Sequence, residues 1–195
     1  MTTLLERPME IERQTLEIAR ASEVERASDL VEKRRIPAGY VWGTLRLAMG
    51  WTFFWAFLDK LFGLGFATAA ETAWLEGGSP TAGFLTFATK GPFAGIYQGI
   101  AGSGAVEWLF MLGLLGIGLP LLLGIGVRLA AASGVVMMML MYTAASIVPE
   151  HNPFLDDHII NAIIMVGLIV TGGGYLGLGD LWAKTRLVRK FAILK

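Results

Sequence analysis

Four apolar runs, each of about twenty residues, decide what this chain can be. They span roughly 43–62, 106–127, 129–148 and 159–178. A helix rises 1.5 Å per residue, so about 20 residues cross the ~30 Å hydrocarbon layer of a bilayer. Only helices and closed barrels satisfy their backbone in lipid, and runs without polar alternation are helices. The expectation is an all-α membrane protein, a four-transmembrane-helix bundle. Residues 1–39 form a charged N-terminal cytoplasmic helix and linker, residues 40–178 the membrane domain, and residues 179–195 a basic amphipathic C-terminal segment.

Composition agrees. Hydrophobic residues make up 54% of the chain and charged residues 16%, well below the quarter usual in soluble domains. Net charge is zero, which gives no footprint for nucleic acid. The absence of cysteine excludes thiolate chemistry, iron–sulfur ligation and Cys-based zinc sites. Two histidines do not furnish the usual haem or copper constellations. A redox cofactor is therefore non-covalent or held by a partner.

Residues 9–35 repeat an acid-then-base spacing of three in Glu10–Arg13, Glu17–Arg20, Glu23–Arg26 and Glu32–Arg35, which supports a helix. Either it is solvated or it docks on a partner or the membrane surface. Ile36-Pro37-Ala38-Gly39 is expected to break it. With Arg46 taken as juxtamembrane and snorkelling, only Lys60 and Lys90 among the cations fall on the other side, so both termini are expected in the cytoplasm. Pro120 should kink the second run, and the glycines around it permit close helix contact. Beyond the fourth run, Asp180 is a plausible N-cap, with Leu181, Trp182, Val188 and Phe191 in the interface.

The outer connection, 63–105, is too long for an idle loop. Short interfacial helices are expected near 67–76, 80–89 and 92–100, the second opened by Ser79-Pro80. Gly95, Gly99 and Ser103 recur every four residues, as in a close-packing face. Trp74, Tyr97 and Trp108 suit an aromatic belt.

Ionisable groups in a span are functional candidates. Trp51, Trp55 and Asp59 share a helix face: an aromatic ladder ending in a carboxylate, suited to a quinone ring, or else a packing stripe ending in a capped charge. Lys60 diverges from Asp59 by about 100°. Topology brings Asp59 and Glu107 to the same rim as the polar stretch Pro149-Glu150-His151-Asn152-Pro153-Phe154-Leu155-Asp156-Asp157-His158. Asp59, Asp157 and His158 are candidate proton-handling, catalytic groups; Trp51, Trp55 and Asn161 would bind the quinone; Lys60 or Lys90 would attract an anionic substrate. Capping by Asn152 and Asp156 is the competing account of that stretch. No metal-ligand spacing is present.

Arg46-Leu47-Ala48-Met49-Gly50 leading to Asp59-Lys60-Leu61 resembles the first span of DoxX/DoxD membrane proteins. Residues 76–85, Thr89-Lys90-Gly91-Pro92-Phe93 and 152–158 resemble the DoxD branch, the large subunit of thiosulfate:quinone oxidoreductase. The resemblance covers roughly residues 40–180. It implies a bacterial cytoplasmic-membrane protein that oxidises thiosulfate to tetrathionate and reduces quinone beside a DoxA-like subunit. The alternatives are a non-enzymatic scaffold that recruits a redox or respiratory partner and, more remotely, a small-solute carrier. Partners expected are the lipid bilayer, that subunit or respiratory partner, and a further copy of the chain.

Overall fold

Proline and glycine punctuate the helices, and the element order follows. The computed structural model describes residues 3–145 and 153–190, and every regular element among them is helical. Helix α1 is Thr3–Phe62; 3-10 turns at Ala70–Thr72 and Trp74–Glu76 and a π-helical turn at Phe84–Ala88 follow. Then come α2 (Ala94–Gly99), α3 (Gly104–Leu123), α4 (Val127–Ala145), α5 (Asp157–Thr171), α6 (Gly179–Ala183) and α7 (Arg186–Lys190). Pro149, Glu150, His151 and Asn152, the expected end of the third span at 146–148, and Phe191 onward lie outside the described residues, as does the Asp180 side chain.

The chain divides into two units, Met1–Tyr40 and Val41–Lys195. In the first, Leu16, Ile18, Val24, Leu30 and Val31 are each more than half exposed. Ser22 and Ser28 donate back to the carbonyls of Ala19 and Glu25, at 2.8 and 2.7 Å. The helical assignment continues through 36–39, where a break is expected. Proline's fixed φ near −65° is itself a helical value, so Pro37 costs about 3 kcal/mol without dictating an end.

In the second unit, small residues set the packing. A Cβ on Gly50 would fall 2.8 Å from Leu122 N, and one on Gly118 would fall 2.5 Å from Phe54 N. These contacts run in opposite senses along the two helices, so α1 beyond Val41 and α3 are antiparallel with backbones touching. Gly134 meets both Ile117 of α3 and Met165 of α5, while Gly167 of α5 meets Trp42. Buried Met111, Leu114, Ile117 and Leu121 recur at three to four residues along α3, and Met165 and Leu168 face them from α5.

Helices α3 and α4, of 20 and 19 residues, are long and apolar enough to cross a membrane. Helix α5 has 15 residues and ends at Gly172, short of the expected Leu178. Three successive glycines, 172–174, have positive φ and turn the chain there. Pro120 lies in the last turn of α3, which Gly124 then closes in the left-handed conformation (φ 74°).

Arg46 does not snorkel. Its side chain is buried, and the guanidinium donates to five backbone carbonyls: Leu121 and Leu122 of α3, and Gly173, Tyr175 and Leu176 beyond α5. A guanidinium has five N–H donors, so this one is saturated. Helix α3 must find partners for its last four carbonyls. Pro120 O receives Gly124 N (2.9 Å) and Ile125 N (3.0 Å), Leu123 O receives Leu178 N (2.8 Å), and Arg46 takes the two between.

In the C-terminal segment the described residues form two short helices, Gly179–Ala183 and Arg186–Lys190. Helix α6 starts at Gly179, so Asp180 lies inside it rather than at its cap. Val188 is buried instead of interfacial, while Leu181 is exposed. The hydroxyl oxygen of Thr185 accepts Val188 N at 3.4 Å and starts α7.

Arg46→Met should lower stability in detergent by on the order of 3 kcal/mol, because several carbonyls lose their donor together. Arg46→Lys, with three donors, should fall between the two. Thermal melts of the three proteins check the ranking; equal melting temperatures would remove Arg46 as the lock.

Candidate functional site: one end of the helical unit

Helix α1 ends, α3 begins, α4 ends and α5 begins at the same end of the second unit, as the antiparallel packing requires. Asp59 is buried there. Its Oδ1 accepts Phe66 N at 3.1 Å and its Oδ2 accepts Ala67 N at 3.0 Å. Both oxygens are thus committed to the loop that follows α1. The aromatic ladder is real and continues into that loop. Trp51 and Trp55 lie 5.5 Å apart between centroids, and Trp55 meets Phe66 edge-on at 5.1 Å. Phe66 supplies the ring that flanks Trp55 on the Asp59 side.

At α5, Asp156 is the N-cap: its Oδ1 accepts Ile159 N at 3.1 Å. Its Oδ2 lies 2.7 Å from His158 Nδ1, and an ionised carboxylate only accepts, so the imidazole N–H donates. Burial pushes the Asp156 carboxyl up, but the bond from His158 and the Ile159 amide outweigh it and hold it below the ordinary carboxylate value. Pro153 lies ahead of the helix, not in its first turn. Asp157 is exposed and Asn161 half-buried.

The segment between α1 and α3 folds over the ends of α3 and α4. Ser79 accepts Ala82 N at 3.0 Å, as a cap should, and donates its hydroxyl to Glu107 of α3. Trp74 and Trp108 meet edge to face at 4.6 Å. Lys90 N bonds Ala144 O at 3.0 Å, and the Tyr97 hydroxyl lies 2.6 Å from Thr143 Oγ1 and donates to Leu140 O at 3.2 Å. These bonds tie the segment to the end of α4. The expected small-residue face of α2 is not packed, since a Cβ on Gly95 or Gly99 would meet nothing within 4 Å.

Beneath this cover runs a groove of about 1230 Å³. Lys60, Glu71, Ser79 and Thr81 are among its polar groups; Phe110, Met137 and Leu140 are among its apolar walls. Thr81 is buried, and its Oγ1 has no hydrogen-bond partner among the described residues. Such a group costs roughly 1–3 kcal/mol, so it needs an explanation. Of the expected site residues, Lys60 lines the groove; Asp59, Lys90, Trp51, Trp55, Asp157, His158 and Asn161 do not. Asp59 and Lys60 are neighbours on α1 with different surroundings, one bonded to the loop and one lining the groove. No described hydrogen bond joins Asp59 to His158. Sequence reasoning passes over Thr81; its one signal is its place between the Ser79 cap and the π-helical turn.

No family model matches the chain, and neither a curated protein nor a solved structure does.

Two outcomes test this geometry. Asp59→Ala should destabilise the protein by about 2 kcal/mol, because two loop amides lose their acceptor; Asp59→Asn, keeping one acceptor oxygen, should cost less. Unchanged melting of Asp59→Ala would show that the latch contributes nothing. Because the Asp156 carboxyl is held below about 3.9, its contribution is present above that pH and lost as pH falls through the folded value. Asp156→Asn should therefore flatten the acid limb of the melting temperature below about pH 5. An unaltered limb would show that the cap and His158 bond carry no pH-dependent stability.

Proposed function

We propose that the chain is a four-span integral subunit of a quinone-linked oxidoreductase in the bacterial cytoplasmic membrane, with both termini cytoplasmic. In this reading the second half of α1 and α5, extended by the glycine-rich stretch after it, join α3 and α4 as spans. Exposed apolar surface supports it: only 28% and 33% of the apolar windows of α3 and α4 are buried, whereas the core helix of a soluble protein is mostly enclosed. The carrying observation is the groove, whose mainly apolar walls, interrupted by Lys60, Glu71 and several hydroxyls, suit a ring with carbonyl oxygens and an isoprenoid tail.

A bound quinone supplies the acceptor for two electrons and two protons. The chain's own residues bind and orient it: Lys60 and Thr81 on the oxygens, Phe110, Met137 and Leu140 around the ring and tail. His158, held by Asp156, and exposed Asp157 exchange protons with water at the same end. Thiosulfate, the donor that the DoxD resemblance implies, gives one electron per molecule as two join through a new S–S bond in tetrathionate. Lys90 or Lys60 would receive that anion, and a DoxA-like subunit would complete the enzyme.

One observation favours a second reading. Residues 1–40 form a unit of their own with exposed apolar side chains, as a scaffold that recruits a redox or respiratory partner would present. Purified protein should carry quinone and, with or without a DoxA-like partner, reduce decylbenzoquinone on addition of thiosulfate; His158→Ala should slow turnover far more than the modest fall in melting temperature expected from loss of its bond to Asp156. Removal of residues 1–35 should spare that turnover. No bound quinone and no reduction under either condition, with loss of partner pull-down on the deletion, would favour the scaffold.

A further inference from the structure

We infer that the groove binds the oxygen-bearing head of a long-chain amphiphile entering sideways from the bilayer, with the Thr81 hydroxyl as its hydrogen-bonding anchor. The inference rests on the membrane embedding proposed above, but not on the ligand's being a quinone.

Two neighbouring hydroxyls, those of Ser79 and Thr89, show why Thr81 stands out. Ser79 is used twice, by Ala82 N and Glu107. Thr89, equally buried, donates to Leu85 O one turn back at 2.9 Å. Thr81 has its backbone carbonyl taken by Leu85 N at 2.9 Å, yet its Oγ1 has no partner among the described residues although Thr81 is only 5% exposed. It forms part of the groove wall, as does Lys60, which makes no ion pair among the described residues. A hydroxyl that donates and an ammonium nearby select a ligand oxygen that accepts, and the Glu71 carboxylate, which also lines the groove, favours a neutral carbonyl over a carboxylate.

The rest of the groove selects the tail. Its volume exceeds the roughly 300–1,000 Å³ of ordinary small-molecule pockets, and a compact polar solute would leave its apolar walls unfilled. Leu109, Leu112, Val136 and Leu140 line it and are each more than half exposed, so it opens along the faces of α3 and α4. Those faces meet acyl chains if the helices span. Met137 and Met141, unbranched and polarizable, accommodate tails of varied shape.

The test uses full-length protein in detergent micelles and three radiolabelled probes: decylbenzoquinone, palmitate and headless decylbenzene. Thr81→Val should weaken the headed ligand that binds about tenfold, leave decylbenzene unchanged, and be rescued by Thr81→Ser. The ligand-free Thr81→Val protein should melt no lower than the parent, because it loses an unpaired buried hydroxyl. Thr81-dependent binding of palmitate without decylbenzoquinone would keep the anchor and remove the quinone reading. Equal affinity of Thr81→Val and parent for both headed probes, failure of both to bind, or a lower melting point of the ligand-free variant would overturn the inference.

Discussion

The second unit depends on one guanidinium. Arg46 stands on α1, yet every donor it has is spent on α3 and on the chain beyond α5. The C-terminal end of α3 carries the negative pole of its helix and carbonyls without intrahelical partners. A buried cation elsewhere would need a carboxylate; here the backbone itself supplies the compensating dipoles. The close approaches at Gly50, Gly118 and Gly173 make this geometrically feasible, since side chains there would push the elements apart. The bond network thus fixes three elements at one end and leaves the opposite end to be organised separately.

That opposite end is held by smaller devices of the same kind. Asp59 latches the loop after α1, Ser79 and Glu107 join the segment between α1 and α3 to α3, and Tyr97 with Lys90 N joins it to α4. Each satisfies a backbone or side-chain group that would otherwise be orphaned, and together they roof the groove. Thr81 Oγ1 is the one fully buried side-chain polar atom without a partner among the described residues. An unpaired polar group amid satisfied ones is more informative than a charged one whose partners are all in the protein.

Much of the helical order is legible in the sequence, because apolar runs and glycine stops act locally. Helices α3 and α4 begin within two residues of the starts read from hydropathy, and Ser79 is visible as a cap. What escapes is whatever depends on a distant carbonyl. Arg46 reads as a snorkelling cation because the groups it serves are seventy-five or more residues away. The end of α5 escapes because glycine runs are tolerated in spans, and only positive φ at 172–174 shows the turn. Asp59 is legible as important, but carboxylate latch and proton carrier have the same one-letter code. The groove has no periodic signature, being walled by residues from four separate stretches.

The Asp59 latch reaches beyond its own loop. Successive side chains on a helix point about 100° apart, so whatever immobilises one also sets the bearing of the next. Two main-chain amides clamp the carboxylate, and in doing so they aim the adjoining ammonium at the groove. The anion and the cation at 59 and 60 therefore work less as a pair than as hub and pointer: loosening the first would swing the second away from anything seated beside it.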